Sequence, residues 1–130
     1  MTVSILVVDD EADIADLFKQ RFRLELKSGE YAMHFAVSGE EALETLQTGI
    51  EPEVMVVLTD INMPGMNGLE LLEEAKRRWP LLPLVVVTAY GNPQNRRKAY
   101  EAGALDFVTK PIDFDALKTK INNVLTLTGG

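Results

Sequence analysis

The sequence predicts an α/β fold: a single domain with a five-stranded parallel sheet sandwiched between helices. Three observations point there. Five short apolar runs recur along the chain, segments with helical spacing alternate with them, and 130 residues is close to the commonest size for one compact domain. Right-handed crossovers then connect strand to strand.

The first run, Val3 to Val8, is apolar apart from Ser4, the pattern of a strand covered on both faces. After it, Ile14, Leu17, Phe18 and Phe22 fall on one helical stripe that packs on the sheet. In the second run, Ala32 to Val37, Met33, Phe35 and Val37 alternate with Ala32, His34 and Ala36, which suits a sheet edge. Ser38 with Glu41 three residues on reads as a capping box, opening a helix that turns Ala42, Leu43 and Leu46 inward. Val54 to Leu58 is the third run. Asn67 and Glu70 repeat the cap, and Leu69, Leu72, Ala75 and Trp79 follow as the buried side of the next helix.

Leu84 to Val87 and Leu105 to Val108 complete the strands. Between them, Pro93 to Ala102 spends Gln94, Asn95, Arg96, Arg97 and Lys98 on polar positions and leaves only Ala99, Tyr100 and Ala102 to bury, so its anchoring is weak. The Arg96-Arg97-Lys98 run reads as a solvated face, with partner docking as the alternative. Asp113 is an N-cap for a last helix through Leu117, Ile121, Val124 and Leu125. The domain is expected to span residues 1–127, with 128–130 as a tail.

Composition narrows the function. A 46% hydrophobic, 25% charged chain is an ordinary globular protein, and a net charge of −7 repels both nucleic acid backbones and anionic membranes. Neither direct nucleic acid binding nor a membrane is expected. With no cysteine there is no disulfide and no thiolate metal site. No basic residue precedes the apolar run that stops at Asp9 and Asp10, so a cytoplasmic location is the default expectation.

The informative residues are those that end the strands. Asp9 and Asp10 follow the first run, Asp60 the third, Thr88 the fourth and Lys110 the fifth. In an open parallel sheet those ends share one edge, where ligands bind. Any one of them alone could be a turn, a cap or a solvent-facing end; four on one edge need a common reason. Clustered carboxylates repel unless a proton or a cation intervenes, and Mg2+ takes a few carboxylate oxygens together with water and a phosphate oxygen. Lys110 and Thr88 add a positive charge and a hydroxyl for phosphoryl oxygens, leaving one aspartate to attack as a carboxylate nucleophile.

These residues match a known family. Asp9-Asp10, the segment Thr59-Asp60-Ile61-Asn62-Met63-Pro64-Gly65-Met66-Asn67-Gly68, Val87-Thr88-Ala89 and Lys110-Pro111 together resemble the response-regulator receiver signature, and the likeness covers nearly the whole chain. The resemblance implies a flavodoxin-like, doubly wound three-layer sandwich with strand order 2-1-3-4-5. It implies that Asp60 is the phosphoacceptor, that Asp10 binds Mg2+ with help from Asp9, and that the backbone carbonyl of Asn62 is a further ligand. Thr88 and Lys110 would hold the phosphoryl oxygens, Phe107 would be the aromatic switch, and the Lys110–Pro111 bond would be cis. Where many members have Tyr, this chain has Phe107, so no phenol hydrogen bond is available to the switch.

The implied partners are a sensor histidine kinase or phosphotransfer protein and a downstream effector. The effector would use the face made by the fourth helical segment, the fifth strand and the last helix, with the protein a monomer or weak dimer. Beyond its own phosphorylation and dephosphorylation no enzyme activity is expected. Asn62 and Tyr90 border the phosphoryl group in this likeness and would tune how water reaches it. Met63, Pro64 and Gly65 read as a tight turn, with Gly65 or Gly68 supplying backbone angles closed to other residues, and His34 as a surface residue.

Two enzyme-like or cofactor-binding alternatives fit less well. A haloacid-dehalogenase-like Mg2+-dependent phosphatase needs a second Asp two residues after its nucleophile, and Asn62 stands there. A flavodoxin-like cofactor binder needs a Thr/Ser- and Gly-rich phosphate loop, and Asp9 to Asp13 would repel a phosphate. An unphosphorylated interaction module is disfavoured because every reactive position is filled.

Overall fold

A computed structural model describes residues 2–49 and 54–127. Five strands form the sheet: β1 (Val3–Val8), β2 (Tyr31–Ala36), β3 (Val54–Thr59), β4 (Leu84–Thr88) and β5 (Asp106–Thr109). All pairings are parallel and the order is β2-β1-β3-β4-β5, as the family likeness implies. The strands lie within about one residue of their expected bounds. Val37 and Leu105, read as strand residues, fall just outside and are exposed.

Alternation along each strand feeds two cores, which is why the runs of the inner strands β1, β3 and β4 are apolar almost throughout. On one face Leu6, Val8, Val57, Leu84 and Val86 pack under α3 (Gly39–Thr48), α4 (Gly68–Arg78) and α5 (Pro93–Glu101). On the other, Ile5, Val7, Val56, Leu58, Val85 and Val87 meet α1 (Ala12–Arg21), α2 (Arg23–Ser28) and α6 (Phe114–Leu127). The first helical segment is thus two helices, bent at the buried Phe22, with hydrogen bonds continuing across the bend from Phe22 N to Phe18 O and from Leu26 N to Phe22 O. Lys118 of α6 binds α2 through Glu25 at 2.8 Å.

The caps act largely as read. At α4 Asn67 and Glu70 make both halves of the box, whereas at α3 the bond formed is that from Glu41 N–H to the Ser38 hydroxyl. Asp113 accepts from Ala116 N–H at the start of α6. Two inward faces need correction. On α4 the fully buried leucines are Leu71 and Leu72, with Leu69 and Trp79 only partly covered, because the α4 stripe is rotated towards Leu71 as the helix lies against α3. On α5 Ala99 is buried and Tyr100 is exposed. His34 also departs from the surface reading: it sits mid-strand in β2 opposite Leu6, partly buried, with its Nε2 enclosed and without a hydrogen-bond partner.

Candidate active site at the carboxyl edge of the sheet

Ladder hydrogen bonds carry the chain past each strand end and so bring the polar residues to one edge. Asp9 N–H donates to Ala36 O, Asp60 N–H to Val8 O, and Lys110 N–H to Thr88 O. The side chains converge there. Lys110 Nζ lies 2.8 Å from Asp9 Oδ2 and 3.0 Å from Asp60 Oδ2, and 3.8 Å from Glu11 Oε1. The Lys110–Pro111 bond is cis.

Asp60 is 4% exposed, and its two oxygens have different surroundings. Oδ1 accepts from the N–H groups of Ile61 at 2.6 Å and Asn62 at 3.2 Å, while Oδ2 faces Lys110. Gly68 serves by close approach rather than by unusual angles: a Cβ there would collide with the Asp60 carbonyl. Gly65 is the residue of the turn with a left-handed backbone, φ 73°.

Asp9, Glu11 and Asp60 form the trio whose carboxylate oxygens lie within 4.8 Å of one another. Asp10 stands outside that trio, exposed, on the wall of an open cavity of about 450 Å3 that Glu11, Asp60, Asn62, Ala89 and Tyr90 also line. Glu11 was not singled out from the sequence as a possible ligand; its place directly after an acidic pair at a strand end was the available signal. Burial raises the Asp9 carboxyl above its ordinary 3.8, against the lowering effect of the Lys110 and Glu11 N–H hydrogen bonds. Burial also works against the Lys110 charge, but its bonds with Asp9 and Asp60 prevail and hold the ammonium above the ordinary 10.5.

Thr88 is fully buried, and its hydroxyl oxygen accepts from Tyr90 N–H at 3.2 Å. Tyr90 is half exposed on the cavity rim, and its carbonyl accepts from the Asn95 side chain of α5. Phe107 is 3% exposed in β5, with the Arg96 guanidinium 4.8 Å above its ring centroid. Arg96 is therefore more than part of a solvated face, since it covers an aromatic. The site residues read from the sequence thus lie on or beside one crevice, with Thr88 behind it and Phe107 on the α5 side.

A five-stranded parallel sheet of this order with acidic groups and a lysine at its carboxyl edge defines a receiver-type α/β domain. The chain belongs to that family: the model of the response regulator receiver domain matches residues 5–122. It is 35% identical over 126 residues to the transcriptional regulatory protein ZraR of Klebsiella oxytoca, a match covering 97% of this chain and 27% of ZraR. The chain thus spans about a quarter of the length of such curated relatives.

Among solved structures it resembles a response regulator receiver domain protein from Clostridium thermocellum, with TM-score 0.86, 28% identity and coverage of 98% and 97% of the two chains. It also resembles the response regulator TrrA from Thermotoga maritima, solved in complex with Mg(2+)-BeF, with TM-score 0.79, 35% identity and coverage of 95% and 99%. Among the described residues no helix is long and apolar enough to cross a membrane.

Proposed function

We propose that this chain is the phosphoacceptor module of a two-component phosphorelay, with Asp60 taking a phosphoryl group from a histidine kinase or phosphotransfer protein. The observation that carries this is the state of the Asp60 carboxylate. One oxygen is fixed by two backbone N–H groups; the other lies at the edge and accepts from the Lys110 ammonium. Such a group is oriented, and its free side opens onto a cavity.

The donor set fits Mg2+. Carboxylate oxygens of Asp9, Glu11 and Asp60 lie within 4.8 Å of one another, and hard oxygen donors next to an open cavity suit this ion. Asp9, Asp10, Asp60 and the Asn62 carbonyl would hold it, with Glu11 in reach. When bound, the ion would neutralise charge on the carboxylates and on the incoming phosphoryl oxygens.

Lys110 supplies a fixed cation for a phosphoryl oxygen in the place where it now pairs with Asp60. Thr88 can donate its hydroxyl proton to a phosphoryl oxygen while its oxygen still accepts from Tyr90 N–H, and a movement of Thr88 towards the phosphate would be felt by α5 through Tyr90 and Asn95 and by the packing of Phe107. The α5, β5 and α6 face is then the output surface towards an effector, and residues 1–127 form the working unit, as monomer or weak dimer, in the cytoplasm. Catalysis by this chain is limited to its own phosphorylation and dephosphorylation. The test is intact mass after acetyl phosphate and Mg2+: wild type should gain one phosphate and Asp60→Asn none. Tyr90, with Asn62, shields the acyl phosphate, so Tyr90→Ala should lose phosphate faster than wild type; an equal or slower loss counts against it.

A further inference from the structure

We propose that Glu40, on α3 and outside the crevice, is a positioning residue for Asp60: it holds from outside the loop whose backbone amides orient the Asp60 carboxylate. This rests on the reading of Asp60 as the reactive group. The loop from Ile61 to Asn67 begins with the two N–H groups bonded to Asp60 Oδ1 and closes on itself where Gly68 N–H donates to Ile61 O. Between those points it is held on its inner side by Met63, which is buried in the core. On its outer side the contact is with α3, where Glu40 Oε2 accepts from Met66 N–H at 3.1 Å.

Two glycines fit this clasp. Gly65 has its left-handed backbone directly under the carboxylate, and a Cβ there would fall 2.8 Å from Glu40 Oε2. At Gly39 a Cβ would fall 2.8 Å from Met66 Cγ, so the start of α3 lies close against the loop. Glu40 is not occupied with capping its own helix, because Ser38 accepts the Glu41 N–H. Its carboxylate is free to reach across, and a loop released there can shift the amides that set the Asp60 rotamer.

Titrating Mg2+ alone by calorimetry, together with amide hydrogen exchange, tests this in the wild type, Glu40→Ala and Glu40→Gln. The Ala variant should lose protection at the Met66 amide by about ten-fold or more and bind Mg2+ about three- to ten-fold more weakly, with little change in Tm. Gln keeps an acceptor oxygen and should bring both quantities back to within about two-fold of wild type. Unchanged Mg2+ affinity in Glu40→Ala, with or without altered exchange, overturns the proposal, as does a Gln variant no better than Ala. A wild type that binds no Mg2+ and gains no phosphate would instead overturn the reading of Asp60 itself, and the Met66 exchange data would still report whether the clasp exists.

Discussion

Helices α4 and α5 lie side by side on the same face of the sheet and are held there very differently. α4 has both halves of a capping box, buries Leu71, Leu72 and Ala75, and ties itself to α3 through Arg78 and Gln47. α5 has an Asn92 cap and a Pro93 start but buries Ala99 alone, and Arg96 over Phe107 is its one cation–π contact among the described residues. Apolar area removed from water sets how costly it is to move a helix. The helix after Asp60 is therefore costly to displace, and the helix after Thr88 is the cheaper of the two to move.

The sharpest way to break that contrast is to ask which helix senses the site. With Mg2+ and a beryllofluoride mimic of the phosphoryl group, amide shifts should be concentrated in Ala89–Glu101 and nearly absent from Leu71–Arg78, and Asp60→Asn should abolish them. Equal shifts in both helices would end the comparison. Next in size is stability. Leu72→Ala in α4 should cost about 2–5 kcal/mol in urea unfolding, as a fully buried leucine truncated in a packed core does. Ala99→Gly in α5 should cost about 1 kcal/mol, mostly backbone entropy. Similar losses at the two positions would mean that α5 is anchored as firmly as α4.

A smaller effect comes from the crevice rather than from either helix, and its sign is the same in two pH windows. Lys110 titrates higher in the fold than in the open chain, so its stabilisation is fully present below 10.5 and fades as pH rises through the folded value. Asp9 also titrates higher in the fold than 3.8, so the native state takes up its proton first and stability from this group falls as pH rises through that range. In metal-free protein, Lys110→Met should flatten the alkaline fall in unfolding free energy, leaving α5 and α4 contributions untouched. An alkaline limb as steep in the variant as in wild type would show that the lysine pair is not its source.

Much of this was legible in the residues. The five apolar runs became the five strands, and the inner ones were plainest because a strand buried on both faces leaves a nearly continuous apolar stretch that little else of that length produces. Asp9, Asp60, Thr88 and Lys110 could be assigned to one edge for the same reason, since the chain direction of a parallel sheet decides where every strand ends. The caps at Ser38, Asn67 and Asp113 were local and so were readable. Several of the misreadings were questions of facing. Leu71 rather than Leu69 turned inward on α4, Tyr100 turned out, and His34 was partly enclosed.

The sequence by itself determined the order of strands and helices along the chain and the chemistry available at each strand end. Tertiary structure alone decided that Glu11 joins Asp9 and Asp60 while Asp10 stays on the exposed wall, that Arg96 covers Phe107, and that Glu40 reaches the Met66 amide. The reason is physical. Hydrogen-bonding pattern and hydrophobic period are properties of neighbours in the chain, whereas the direction of a side chain at the end of an element depends on which remote surface packs against it.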